Sequence, residues 1–401
     1  MAPERTKGAL KVLIVPSDNF GCGLFRMVQP SSAIARLCPD ADITIHYNPN
    51  EQVLVDEEIQ LLILQRVRIC RDSGEPIDQN AILMEAAKKR GIPVIYEHDD
   101  NDYALPSQHG MYFLYRNERI ADKIDLLFKE ADAITTTTSY IAKVFGERSG
   151  NPNKVYVFPN CIDFSAQSWA HRSQNSRRLR IGWAGGSSHD RDLLQLRGVA
   201  STLYSMNGDR LQFMIGGYDT RGTYSYISSG QTVTRIIEAH ETVWKDMVAT
   251  YFDGVPKQCT RIMRTLPVDL YGYFFSQFDI GVVPLEDTEF SRSKSPLKLL
   301  EYGAYGVPVV ASDVWPYRDM VGDDNAVKLI HGKNPRAWVD AVQELIDDPV
   351  LRQERGQRLR ALVRSRYDEE LWAPKRMQFW RDLVAYKTTG KIPERQEFPH
   401  A

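Results

Sequence analysis

Cysteine is scarce, with five in 401 residues. Cys22, Cys38, Cys70, Cys161 and Cys259 show no C-x-x-C spacing. A disulfide framework and a cysteine zinc site are thereby excluded, and free thiols in a reducing compartment are expected. Long apolar runs are also missing. No stretch approaches the roughly 20 residues of a membrane span, and the N-terminal MAPERTKGALK does not read as a signal peptide. A cytoplasmic chain without an integral membrane segment is the expectation. Neither sign of charge is in excess, since 50 Lys and Arg against 52 Asp and Glu leave a net −2. That balance argues against extended DNA binding, which relies on many phosphate contacts. There is no internal repeat and no low-complexity segment. What remains, 43% hydrophobic and 25% charged, is ordinary for a globular enzyme, and 401 residues divide naturally into two domains.

Short apolar runs alternate with helical patterns along the whole chain. Strands are expected at 11–15, 42–47, 61–67, 92–96, 131–138 and 155–158, then at 179–183, 211–217, 262–266, 279–285, 307–311 and 325–330. Such alternation predicts parallel sheets covered by helices, an α/β class. The division falls into residues 1–165, a polar linker at 165–178, a second domain at 179–370 and a final helical segment at 371–401. The connection 218–258 is long and aromatic, and Trp244, Tyr251 and Phe252 are expected to pack in a core.

Several loops at strand ends carry chemistry. After the first strand, Gly21 and Gly23 would let a backbone come close to a ligand, although the spacing is not G-x-G-x-x-G. After the strand at 92–96 comes EHDDNDY, with Glu97, His98, Asp99 and Asp100 at the end where α/β proteins bind ligands. Clustered carboxylates suit Mg²⁺ or Mn²⁺. Asp99 and Asp100 are adjacent, however, and on an extended chain they point apart, so acceptor contacts are expected rather than a metal. In WAGGSSHDRDLL the turn at Gly185 and Gly186 precedes a helix from Asp190. Backbone amides from Gly185 to Ser187, with His189 and Arg191, are candidates for phosphate. A tight βα turn would need the same glycines.

The most informative stretch is FSRSKSPLKLLEYGAYGVPVVASD, from Phe290 to Asp313. Ser295 is the expected N-cap and Pro296 the first helical residue. Leu297, Leu300 and Ala304 share a face, and Gly306 and Pro308 end the helix before a buried strand. Arg292, Lys294 and Lys298 make the helix start basic, which suits a pyrophosphate. Glu301 follows Lys298 by three positions, where a carboxylate could take both hydroxyls of a ribose. The alternative is a surface Lys–Glu pair.

EYGAYGVPVVASD resembles the donor-site segment of retaining glycosyltransferases of the GT-B fold, the large glycosyltransferase family 4 group. Lys294, Ser295, Lys298 and Glu301 match the Lys-Ser-x-x-Lys-x-x-Glu pattern of one subgroup, and PNCID at 159–163 resembles the family's exit from the first domain. The resemblance implies two Rossmann-like domains, parallel sheets with helices on both faces, meeting at a central cleft. It implies transfer of a sugar from a nucleotide sugar, a UDP- or GDP-sugar, to an acceptor hydroxyl with retention. No cofactor other than that donor and no metal are implied. Glu301 takes the place of the glutamate that holds the ribose. The family's sugar-contacting glutamate falls at position 293, which is Ser293, so that carboxylate is missing. By the same resemblance His98, Lys294 and Lys298 would be catalytic. Gly21, Gly23, Arg26, Gly185, Gly186, Ser187, His189 and Ser295 would bind the donor, and Asp99 and Asp100 the acceptor. The last helix, with Trp372, Phe379, Trp380 and Tyr386, would cross back to the first domain. A GT-B sugar-nucleotide epimerase and a non-catalytic nucleotide-sugar binder are the alternatives. The acceptor stays open between saccharide, lipid-linked sugar, protein and modified DNA base, as does the oligomeric state.

Overall fold

Two six-stranded parallel sheets organise the chain. The structure is a computed structural model and describes residues 8–70, 77–170, 176–221, 223–228, 231–236 and 240–395. The first sheet runs, edge to edge, Ala41–Ile45, Leu10–Val15, Leu61–Gln65, Val94–Glu97, Ala133–Thr136 and Val155–Val157. The second runs Thr260–Arg264, Leu211–Tyr218, Leu179–Ala184, Ile280–Val283, Val309–Ser312 and Val327–Ile330. Every neighbouring pair in both sheets is parallel. Helices cover both faces, which is why strands such as LLILQ and VVAS are buried throughout. In chain order the first sheet is 2-1-3-4-5-6 and the second 3-2-1-4-5-6. Each therefore has a point where the strand order reverses, and ligands of open α/β sheets bind beyond the strand C-termini at that point.

Three local departures from the sequence expectation have physical causes. The helix after the first strand begins with an α-turn at Gly21–Gly23, widens to a π-helical turn at Leu24–Val28 and is α-helical again at Gln29–Leu37. The helix expected from Asp190 is a single α-turn, Asp190–Leu193, between two short 3₁₀ turns. Val268–Gln277 is a 3₁₀ helix. At its Gly272 an added Cβ would lie 2.6 Å from the Ser168 carbonyl oxygen, so this helix packs directly on the linker backbone. The described linker residues up to Ala170 pack on the protein: Trp169 is buried among Phe25, Phe275 and Tyr305, whereas positions 171–175 lie outside the described residues. The long connection holds a hairpin, Thr223–Ser228 with Gln231–Ile236, and a helix, His240–Tyr251. Trp244 and Tyr251 are buried in the second-domain core and Phe252 packs against it. The hairpin adds to two short first-domain strands through the Ile227–Cys70 bridge, so one small sheet spans both domains.

Glu369–Thr389 is the last described helix, and it lies on the first domain. Trp372, Met377, Phe379, Trp380 and Leu383 are buried together with Val12, Ile14, Tyr156 and Phe158. Ring centroids of Phe379 and Tyr156 stand 4.5 Å apart. Tyr386 stays outside this core, 36% exposed.

Arg26 does not face the cleft. It is 3% exposed, with Nε donating to Glu97 Oε1 at 2.7 Å. Its Nη1 donates to the Phe158 carbonyl at 2.7 Å and to Asn160 Oδ1 at 3.1 Å. The expected donor contact is thus a structural ion pair that ties the first helix to two strand ends. Removing one partner of a buried pair strands the other charge. Arg26→Met is expected to cost about 3–5 kcal/mol, and Arg26→Met/Glu97→Leu to recover most of it in urea unfolding. A single variant within about 1 kcal/mol of the parent would show that Glu97 is not stranded.

Candidate functional site

The cleft is built from strand ends of both sheets, and the segment 293–301 is its second-domain wall. Thr288 caps the short helix Glu289–Arg292, and the chain then passes through Ser293, Lys294, Ser295 and Pro296. The next helix is Leu297–Ala304, and Ser295 does not cap it. Instead the Pro296 carbonyl accepts from the Leu299 and Leu300 amides at 2.8 and 3.3 Å. The Ser295 hydroxyl is drawn away to the first domain, where it accepts from Asn160 Nδ2 at 2.7 Å. Its neighbours do likewise. Asn101 Nδ2 donates to Ser293 Oγ at 3.1 Å, and Lys294 Nζ lies 3.9 Å from Asp100 Oδ1. Three consecutive residues each meet a different first-domain side chain.

Lys298 and Glu301 form a buried pair, not a surface one. Lys298 Nζ donates to Glu301 Oε2 at 2.9 Å and to the Tyr271 hydroxyl at 3.1 Å, and Glu301 is 1% exposed. Burial works against a charged Lys298, but Glu301 and Tyr271 outweigh it and hold the ammonium above its ordinary range. Burial and the Glu301 carboxylate push the Tyr271 hydroxyl up to about 12. The result is a fixed cation with a fixed carboxylate one helical turn away, both supplied by the helix that follows the interdomain seam.

At the second sheet's reversal point the glycine turn is more structural than expected. The Gly185 amide donates to the Gly216 carbonyl at 3.2 Å and is not free for a phosphate. A Cβ on Gly185 would meet the Trp183 ring at 2.6 Å, and one on Gly217, at φ +93°, the Gly185 carbonyl at 2.2 Å. Gly186 faces open space apart from the Ser188 hydroxyl. Ser187 Oγ lies 3.5 Å from His240 Nδ1, and His189 Nδ1 lies 2.7 Å from Asp192 Oδ2. Arg191 pairs with Glu286 at 3.1 Å. Only one α-turn follows, so no long helix aims its N-terminus here.

On the first domain, Gly23 is needed for the loop itself. A Cβ there would sit 1.9 Å from the Asp18 carbonyl oxygen, and Asp18 Oδ1 accepts from the Phe20 and Gly23 amides at 2.8 and 3.0 Å. Gly21 borders open space. His98 is not offered to the cleft. It is 1% exposed, packed against Tyr96, Phe128 and Phe145 at ring distances of 5.4–5.9 Å, with Nε2 3.1 Å from Asp102 Oδ2. Strand alternation is the reason: Glu97 turns to the Arg26 face and His98 to the opposite, aromatic face. The structure thus places His98, expected as catalytic, among the aromatic rings of the first domain.

Asp99 and Asp100 also differ from the expectation. The chain bends at Asp100, and the two carboxylates converge on Arg66 instead of pointing apart. Arg66 Nε donates to Asp99 Oδ1 and Nη2 to Asp100 Oδ2, both at 2.6 Å. Burial alone would raise the Asp100 carboxyl, but Lys294 and Arg66 outweigh it and hold it below the ordinary range. Sequence reading passed over Arg66 because it ends an apolar run that reads as strand. Its position just beyond a strand C-terminus was the available signal. Among the described residues no group of three or more His, Cys, Asp or Glu is placed to hold a metal ion. No described helix is long and apolar enough to cross a membrane.

With this geometry in place, the comparisons with known proteins are specific. The two domains and their cleft are the GT-B fold, and residues 251–348 match the family model "Glycosyl transferases group 1". That match contains the whole 293–301 wall. One relative is D-inositol 3-phosphate glycosyltransferase of Paenarthrobacter aurescens (strain TC1), 31% identical over 112 residues, which are 28% of this chain and 26% of that protein. The chain's matches span no more than about half the length of the curated relatives. Sucrose-phosphate synthase of Thermosynechococcus elongatus is similar in structure, with a TM-score of 0.65 at 14% identity, covering 94% of this chain and 99% of that one. HepE of Anabaena, solved in complex with UDP, has a TM-score of 0.61 at 10% identity, covering 93% and 100%.

The burial of Lys298 and Glu301 alters what their substitution should do. Loss of a cleft-facing carboxylate would leave stability untouched, whereas loss of one member of a buried pair does not. Lys298→Met is expected to cost about 3–5 kcal/mol, and Lys298→Met/Glu301→Leu to be markedly more stable than the single variant. Denaturant midpoints at fixed pH check this, and equal midpoints for single variant and parent would return the pair to solvent.

Proposed function

We propose that this protein is a glycosyltransferase that moves a sugar from a nucleotide sugar, a UDP- or GDP-sugar, to an acceptor hydroxyl with retention. The observation that carries the reading is the coincidence of two things in one segment. The family match includes Lys294-Ser295-x-x-Lys298-x-x-Glu301, and the geometry makes that same segment the wall facing the first domain. HepE, similar in fold, was solved in complex with UDP, which supports a nucleotide ligand.

The chemistry follows from the leaving group. Departure of a nucleoside diphosphate develops negative charge, which fixed cations stabilise in a site of low dielectric. Lys298 is such a cation, held in place by Tyr271 and Glu301, and Lys294 is the second. Glu301 takes the ribose hydroxyls, since an ionised carboxylate accepts stronger hydrogen bonds than a neutral group. Gly186 and Gly21 are the glycines that leave room at the two reversal points. Asp99 and Asp100 stand on the acceptor side. Retention needs no protein nucleophile when the departing phosphate takes the acceptor proton on the same face. The free buried thiols of Cys38, Cys161 and Cys259 fit a cytoplasmic site of action.

Ser293 favours one second reading, a nucleotide-sugar binder without turnover. Its hydroxyl donates to the Glu289 carbonyl at 3.0 Å and accepts from Asn101, so the position offers no carboxylate to a sugar. Slow hydrolysis of a donor in the absence of acceptor would sustain the transferase, and tight UDP binding with no hydrolysis of any donor the binder. Product analysis without acceptor also separates an epimerase, which would yield an isomerised sugar nucleotide.

Two measurements test the site. In calorimetry the parent is expected to prefer a nucleoside diphosphate over its 2′-deoxy analogue, and Glu301→Gln to lose most of that preference, because an amide offers a single acceptor oxygen. A variant that discriminates like the parent would remove Glu301 from the ribose. Activity is also expected to survive EDTA, since Asp99 and Asp100 each give a carboxylate oxygen to Arg66. Turnover abolished by EDTA and restored by Mg²⁺ would make those carboxylates metal ligands.

A further inference from the structure

Arg66 is held in an unfavourable backbone conformation at the first sheet's reversal point. Among the described non-glycine residues, positive φ occurs at Glu58, Arg66 and Arg119, with 52° at Arg66. The Glu58 and Arg119 side chains are 77% and 79% exposed, whereas that of Arg66 is 18% exposed. A left-handed conformation costs a non-glycine residue free energy and persists only where the surroundings enforce it. They do so here. The Arg66 amide donates to the Glu97 carbonyl at 3.0 Å, and Asn80 Nδ2 donates to the Gln65 and Arg66 carbonyls at 3.1 and 2.7 Å. The turn aims the guanidinium across two adjacent carboxylates, one nitrogen to each.

The second of those carboxylates has another suitor. Asp100 Oδ2 takes Arg66, while Asp100 Oδ1 lies 3.9 Å from Lys294 Nζ on the opposite domain. At 3.9 Å this is a loose contact, and Lys294 divides itself between Asp100 and the Phe290 ring, 4.5 Å away. Without Arg66, Asp99 and Asp100 would present two uncompensated negative charges to the cleft. Asp100 would then keep Lys294 as its ion-pair partner across the cleft.

We propose that Arg66 is a positioning residue: by neutralising Asp99 and Asp100 it keeps Lys294 of the facing domain available to an anionic donor. The inference rests on the nucleotide-sugar reading. Arg66 itself touches no donor and acts through Asp100. The arrangement makes donor affinity depend on a first-domain residue on the other side of the cleft.

The test is a double-variant cycle read by calorimetry with UDP or, where the parent binds it better, GDP. Arg66→Ala is expected to weaken binding about tenfold, by freeing Asp100 to hold Lys294. Asp100→Asn alone is expected not to weaken it. Arg66→Ala/Asp100→Asn is expected to return to within about twofold of the parent, a rescue that a merely structural arginine would not show. Arg66→Lys keeps the charge but cannot span both carboxylates, and serves if the alanine variant does not fold. It is expected to show part of the loss, again recovered by Asp100→Asn. Parent-like affinity in Arg66→Ala, or in Arg66→Lys when the alanine variant is unfolded, overturns the inference, as does a loss that Asp100→Asn fails to rescue. A parent that binds neither nucleotide overturns the donor reading and this inference together, whereas a binding parent with no rescue overturns this inference alone.

Discussion

The seam at Ser293, Lys294 and Ser295 is the constraint that the site depends on. Each of these residues contacts a different first-domain side chain: Asn101, Asp100 and Asn160. Two of those partners follow the fourth strand of the first sheet, and the third follows its last strand. Parallel strands deliver their C-terminal ends to one edge, so loops far apart in sequence arrive side by side. The helix Leu297–Ala304 starts directly after the seam, which fixes Lys298 and Glu301 relative to the first domain. The crossing helix Glu369–Thr389 closes the same arrangement from behind, and its buried Arg376 donates to the Pro159 carbonyl at 2.8 Å, next to Asn160. Domain placement and site geometry are thus set by shared residues.

Much of the fold was legible because it rests on burial. Parallel strands covered on both faces read as continuous apolar runs, and the runs at 61–67 and 279–285 contain the observed Leu61–Gln65 and Ile280–Val283. The helix at Ile120–Glu130 begins and ends where its apolar spacing does. Less legible were elements whose geometry comes from distant partners. The 3₁₀ helix Val268–Gln277 packs at Gly272 against Ser168, about a hundred positions away in the chain. The loss of Ser295 as a cap depends on Asn160. Local pattern holds no record of either.

Site residues were harder still, because one residue type serves structural and chemical ends alike. Gly23 and Gly185 are required by neighbouring backbone or ring atoms at 1.9 and 2.6 Å, and each reads from sequence as a ligand-approach glycine. His98 and Arg26 have chemistry that suits a cleft, yet alternation along one strand and burial under one sheet edge turn them inward. Asp99 and Asp100 were misread for the opposite reason. The rule that adjacent side chains diverge holds for an extended chain, and theirs bends. Convergence on one arginine accompanies that bend.

The two buried Arg–Glu and Lys–Glu pairs show how to tell structure from function once coordinates are known. Arg26 and Glu97 are engaged by other protein groups: a backbone carbonyl, Asn160 and the Thr135 hydroxyl all join them, while Arg26 Nη2 is buried without a partner. These contacts offset part of the desolvation cost within the protein. Lys298 and Glu301 hold each other and one tyrosine hydroxyl, on a helix whose preceding residues form the domain seam. An ammonium has three donors and a carboxylate about four acceptor sites, so this smaller set of contacts leaves capacity for further hydrogen bonds. A nucleoside diphosphate offers the complementary groups, phosphate oxygens for the ammonium and ribose hydroxyls for the carboxylate. What sets Lys298 and Glu301 apart from Arg26 and Glu97 is their place on the helix that follows the domain seam.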